Sequence, residues 1–231
     1  MRILGPLFTF VLAGGILVGC ADEGPTSSLL QETEEAMSLQ SAAPGAAAQS
    51  PAMHSSSDIY TWPAPGELVE GGMATLLRTD RGIRLTWKSP VDDPGAYTVW
   101  WVIWNNPDEC EHGGDPDPDA QCGLLDLFMD GDPEQGPNPA VSVMSGGGHI
   151  VGKSLKANFG STLREGEITS LHPGFPDSPG LLDARNAEVH VVLQDHGELV
   201  PSEMPDQIKV FQGGCDASER DCSDVQFAVF K

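Results

Sequence analysis

Basic residues are scarce in this chain: 12 Lys and Arg stand against 34 Asp and Glu, a formal charge of −22 over 231 residues. Phosphate recognition needs a basic patch, so this imbalance excludes nucleic acid as a partner and disfavours anionic surfaces. Long apolar runs are also missing after the first 18 residues, which leaves no second segment of membrane-spanning length. The patterns G-x-S-x-G, H-E-x-x-H and S-x-x-K are absent. So are a C-x-x-C redox pair and zinc-ribbon cysteine spacing. These gaps point away from the common hydrolases, zinc proteases and thiol oxidoreductases, and towards a protein that is not an enzyme. With 27 Gly and 19 Pro, the chain favours short strands and turns over long helices.

The N-terminus carries one early cation, Arg2, then an apolar stretch to Val18 and the sequence Leu17-Val18-Gly19-Cys20. That is the layout of a secretory signal peptide over residues 1–19. Its end resembles the bacterial lipobox, which implies cleavage before Cys20 and lipid on that cysteine. Several acyl chains at one residue make a stable anchor. Ala21, rather than Asp, follows the cysteine, as in outer-membrane-sorted lipoproteins. The expected location is therefore the cell envelope, at the outer membrane or cell surface, with the membrane as partner.

Residues 20–57 hold no aromatic residue and are rich in Ala, Ser and Gln. Such a segment cannot bury enough apolar area to fold alone, and it reads as a disordered tether, with one short helix possible near Leu29–Leu39. The folded domain is expected over 58–231. In it, Ile83, Leu85 and Trp87 alternate with polar residues, and Tyr97–Trp104 is β-branched and aromatic on both faces, as a central strand requires. Further strands are expected at Met73–Arg78, Ala140–Met144, His149–Phe159, Ala187–Gln194, Gln207–Phe211 and Val225–Phe230. Pro and Gly clusters separate them. About eight or nine antiparallel strands predict an all-β sandwich.

With Cys20 assigned to lipid, Cys110, Cys122, Cys215 and Cys222 remain. An even number in an exported chain predicts disulfides, and four cysteines allow three pairings. Local pairing, Cys110 with Cys122 and Cys215 with Cys222, is preferred because each pair brackets a polar loop between strands.

The stretch Tyr97-Thr98-Val99-Trp100-Trp101-Val102-Ile103-Trp104-Asn105-Asn106-Pro107, with Cys110, resembles a family of uncharacterised exported bacterial lipoproteins. The likeness continues through Gly148–Gly152, Ala187–Gly197 and Phe211–Cys215 to Val225–Val229. A more distant likeness, carried by the strand that ends in His196-Gly197, is to CHRD-type β-sandwich domains. The resemblance implies export and a β-fold, and brings no activity.

Three motifs could carry chemistry. Gly147–Ser154 matches the P-loop pattern G-x-x-x-x-G-K-[ST]. That motif needs a following helix, whereas Leu155–Gly160 alternates like a strand, so nucleotide binding is not expected. On an extended Ala187–His196, Glu188, His190, Gln194 and His196 share one face while Val189, Val191 and Leu193 look into the core. Imidazoles six residues apart on a straight strand stand roughly 20 Å apart by its rise. A Zn or Cu site would therefore need His149 or a carboxylate beside His190, His196 and Glu188. Finally, Asp115, Asp117 and Asp119, with Asp126 at the twelfth position, imitate a calcium loop without its glycine or its flanking helices. Three readings stand open: a non-catalytic binding or structural module, a Zn/Cu protein or metal-dependent enzyme, and a Ca-stabilised adhesion module.

Overall fold

The computed structural model describes residues 50–114, 117–216 and 222–231. Nine strands form two antiparallel sheets, and the helical segments among the described residues are three-residue 3-10 turns. The four-stranded sheet runs in the order β1-β3-β4-β7, with β1 Met53–Ser57, β3 Met73–Thr79, β4 Gly82–Pro90 and β7 Lys156–Arg164. The five-stranded sheet runs β2-β9-β8-β5-β6, with β2 Tyr60–Thr61, β5 Gly95–Trp104, β6 Val141–Val151, β8 Glu188–Asp195 and β9 Ser223–Phe230. The all-β sandwich expected from the alternating apolar pattern is therefore the fold.

The two inner faces interlock through alternate residues. Leu76 of β3, Leu85 and Trp87 of β4, and Phe159 of β7 meet Trp101 and Ile103 of β5 and Val189, Val191 and Leu193 of β8. All ten residues of β5 are buried, because this strand has β6 and β8 as neighbours, one sheet on its inner face and long loops on its outer face. Arg78 is enclosed with this core. Its guanidinium donates to the carbonyls of Ala184 and Ala187 and to that of Phe230 at the end of β9.

Three boundaries differ from the sequence expectation. Met53–Ser57 forms β1 and pairs with β3 from Met53↔Arg78 to Ser57↔Ala74, so the folded domain begins inside the segment assigned to the tether, 20–57. Edge-strand pairing holds these small polar residues, and periodicity of their own does not announce it. Gln207–Phe211 is not a strand: a 3-10 turn at Asp206–Ile208 replaces it, packed beside Gly148, where a Cβ would meet the Ile208 carbonyl oxygen at 2.5 Å. His149–Phe159 is split by a tight turn between β6 and β7, with Leu155 at φ 53°. The P-loop-like stretch thus spans a strand end, a turn and a second strand, and no helix follows it. The signal peptide 1–19, Cys20 and the Leu29–Leu39 segment lie outside the described residues. No helix among the described residues is long and apolar enough to cross a membrane.

Candidate ligand pocket on the outer sheet face

The outer face of the five-stranded sheet is not left to water. Along β5, Trp100, Val102 and Trp104 point away from the inter-sheet core, opposite Val192, His190 and Glu188 of β8. Three long connections fold over this face: 105–140 brings Cys122, Leu127 and Phe128, 165–187 brings Phe175, and 196–222 brings Phe211. The Cys110–Cys122 disulfide ties off part of the first of these. The second disulfide is Cys215–Cys222, so both cysteine pairs are the local ones.

These loops leave a cavity of about 160 Å³ above the sheet. That size compares with the ~150 Å³ of a dry cavity that admits a benzene ring. Trp100, Trp104, Phe175 and Phe211 wall one part of it; Trp62 and Phe227 wall another. The rings brace one another edge to face, Trp100 on Phe211 with centroids 5.2 Å apart and Trp62 on Phe227 at 5.9 Å. Among the described residues no Lys or Arg lines the cavity, and the titratable groups that do are His172, His190 and Asp224.

Each polar group there has a defined state. His190 Nε2 lies 2.8 Å from Glu188 Oε1, and both side chains are buried. Glu188 also accepts the backbone N–H groups of Gln121 and Cys122 at 3.0 Å each. Burial pushes its carboxyl up, but the His190 hydrogen bond and the two amides outweigh that and hold it below the usual carboxylate range. A carboxylate held in this way accepts from His190 Nε2–H, which fixes the orientation of the ring. His172 Nδ1 accepts from the Gly174 amide at 2.9 Å, and burial lowers its pKa, so the ring is neutral with its proton on Nε2. The Trp104 indole N–H is sealed from solvent and meets no acceptor among the described residues. Asp224 is half-buried, and burial pushes its carboxyl up to about 6 with no cation among the described residues offsetting it.

Asp224 reaches the cavity through a bulge. The β8–β9 register passes from Leu193↔Gln226 to Gln194↔Asp224, so Val225 is the extra residue. Strict alternation from Phe227 would turn Val225 outward and Asp224 inward. With the bulge, Val225 packs on the inter-sheet core and Asp224 lines the outer cavity.

A group whose folded pKa is raised binds its proton more tightly in the native state, so above pH 6 its ionisation weakens folding. That cost is relieved as pH falls through 6 towards the unfolded carboxylate range. Asp224→Asn is therefore expected to stabilise the protein at pH 8 by about 1–2 kcal/mol, after discounting 1.36 kcal/mol per unit for partial exposure, and to have little effect at pH 4. Urea melts of both proteins at the two pH values check this.

The structure disperses the metal set His149, His190, His196 and Glu188, apart from the His190–Glu188 contact. His149 is exposed on β6 opposite Tyr97, while His190 is opposite Val102, five residues and roughly 16 Å further along β5. His196 is buried in a closed chain: Nδ1–H donates to Gly213 O at 2.9 Å, and Nε2 accepts from Thr98 Oγ1–H at 2.7 Å. Thr98 in turn accepts from Trp100 Nε1 at 2.8 Å. Burial keeps this imidazole neutral, and both of its nitrogens are used. Ligand-type atoms of His196, Cys215 and Cys222 come within 4.8 Å of one another, but the two sulfurs are bonded together and offer no thiolate.

The calcium set is dispersed as well, for the members described; Asp115 lies outside the described residues. Asp126 is a buried loop staple. Oδ1 accepts from the Glu111 amide and His112 Nδ1, and Oδ2 accepts from the Gly123 amide. Burial raises its pKa, and these donors bring it below the ordinary value. Asp117 turns back on the Asp119 amide, and Asp119 faces Lys231 at the C-terminus.

His172, Phe175, Phe211 and Asp224 were not found by sequence reasoning, since three sit in aperiodic loops and the fourth depends on the bulge. Comparison with known proteins adds no further constraint: no family model, no curated protein and no solved structure matches the chain.

Proposed function

We propose that this protein is a lipid-anchored, non-catalytic ligand-binding module of the bacterial cell envelope, and that the outer-face cavity is its binding site. The anchor rests on Leu17-Val18-Gly19-Cys20 and the spacer that follows it, and export is consistent with the family resemblance of the Tyr97–Pro107 stretch. The binding role rests on one observation above all. An aromatic cavity opens beside Asp224, whose carboxyl is desolvated and has no hydrogen-bond or ion-pair partner among the described residues. A desolvated polar group without a partner costs free energy, and a ligand that pairs it recovers that cost. Glu188 and His190 form a fixed hydrogen-bonded pair, and among the described lining residues no Ser, Thr, Cys or Lys nucleophile stands beside it.

The test uses the full chain, produced with export and solubilised in mild detergent, and benzyl alcohol as probe. Saturation-transfer NMR should show ring contacts, and Trp fluorescence should shift, because three of the five tryptophans line the cavity. Val143→Phe, which fills the cavity, should abolish both effects. A probe signal unchanged by that substitution would reject the site. Mass spectrometry of the same preparation reads the anchor: acyl mass on a peptide beginning at Cys20, absent in Cys20→Ser.

A further inference from the structure

The lining of this cavity has one electrostatic sign. Three Trp and three Phe rings surround it, their faces carry partial negative charge, and no Lys or Arg is among the described lining residues. Asp224 adds a carboxylate from β9 with no hydrogen bond or ion pair among the described residues. The described groups around it are His190 on β8 with Glu188 behind it, neutral His172 from the 165–187 connection, Gln194 across the bulge, and apolar Leu124 and Leu127 from the 105–140 connection. The whole chain, at −22, adds attraction for cations and repulsion for anions. Aromatic walls beside a desolvated, unpaired carboxylate are what an organic cation requires, since the rings replace its loose hydration and the carboxylate its counter-ion.

We infer that the cavity binds a small organic ammonium ion, methylated or primary. The ammonium lies among the rings and Asp224. This inference rests on the ligand-binding reading of the cavity and adds the class of ligand. It also gives the raised Asp224 pKa a use: a carboxylate that is costly in the empty protein is satisfied when the cation arrives. Two sources share the chemistry, a free aminoalcohol and the headgroup of a phospholipid.

The experiment titrates the full chain with choline and with 3,3-dimethyl-1-butanol, which has the same shape without the charge. Benzyl alcohol is the reference probe for the cavity. Choline should bind at least about tenfold more tightly than its isostere. Asp224→Asn should reduce choline binding about tenfold and leave the isostere within about twofold. Lowering pH from 7.5 to 5 should weaken choline alone, as Asp224 takes up its proton. Equal binding of choline and the isostere overturns the inference. Binding of benzyl alcohol without choline also overturns it, and leaves the cavity as a binding site for neutral ligands. Failure of all three probes overturns both. Phosphatidylcholine vesicles that displace choline assign the ligand to a lipid headgroup, and vesicles that leave choline bound assign it to the free cation.

Discussion

Replacement of Glu188 by Ala is expected to cost about 3–5 kcal/mol of folding stability, and to abolish ligand binding in the protein that remains folded. The carboxylate is buried, and three donors converge on it: His190 Nε2 from its own strand and the amides of Gln121 and Cys122 from the 105–140 connection. Removing it leaves a buried N–H group, a partly buried one and an imidazole without an acceptor. It also releases the segment that brings Leu124 and Leu127 to the cavity. Glu188→Gln keeps the volume and part of the hydrogen bonding, and should cost less, about 1–2 kcal/mol. The pH profile separates the charge from the shape. The folded pKa of Glu188 lies below its unfolded value, so its contribution is present above an unfolded pKa near ~4.3 and is lost as pH falls through the folded value. Wild-type stability should therefore fall in acid below that point, and the Gln variant should show a flatter acid limb. Urea melts from pH 7 to pH 2.5 measure both. An Ala variant within about 1 kcal/mol of wild type would show that the loop is not held through Glu188.

Arg78→Ala should cost about 3 kcal/mol or more. Arg78 sits on β3 of the four-stranded sheet and is sealed from solvent, yet its three hydrogen bonds go to the carbonyls of Ala184, Ala187 and Phe230, which belong to the approach to β8 and the end of β9. It is thus a polar tie between the two halves of the sandwich. Each buried carbonyl left without a donor costs about 1–3 kcal/mol, and the lost volume adds to this. Arg78→Met restores much of the volume but none of the donors, so it should remain close to the Ala variant. Arg78→Lys keeps the charge but not the planar fork, and should recover only part of the loss. Thermal melts at neutral pH order the variants. If Met matches wild type, packing alone accounts for Arg78.

Sequence periodicity made the inner faces legible. Ile83, Leu85 and Trp87, like Val189, Val191 and Leu193, recur at a spacing of two, and a strand has no other way to bury such residues together. Tyr97–Trp104 was legible as the central strand because its outer-face residues are as apolar as its inner ones. That same pattern concealed a division of labour among its tryptophans. Trp101 belongs to the inter-sheet core, while Trp100 and Trp104 line the cavity, and nothing local distinguishes them except parity. The face shared by Glu188 and His190 was also legible, since residues two apart on a strand are neighbours. What it faced was not: two imidazoles were candidates for one metal site, and the strand keeps them apart.

The sequence by itself determined the acidic charge and the all-β class, and it favoured the local pairing of cysteines close in the chain. All of these follow from composition, from short-range order or from the two-residue period of a strand. Only the tertiary structure decided the cavity. Its walls come from loops whose aromatic residues have no period, and its carboxylate comes from a one-residue bulge in β9 that reverses the parity of Val225 and Asp224. A bulge reflects how two strands distant in sequence fit against each other, so the residues on either side of it do not encode which face they will take.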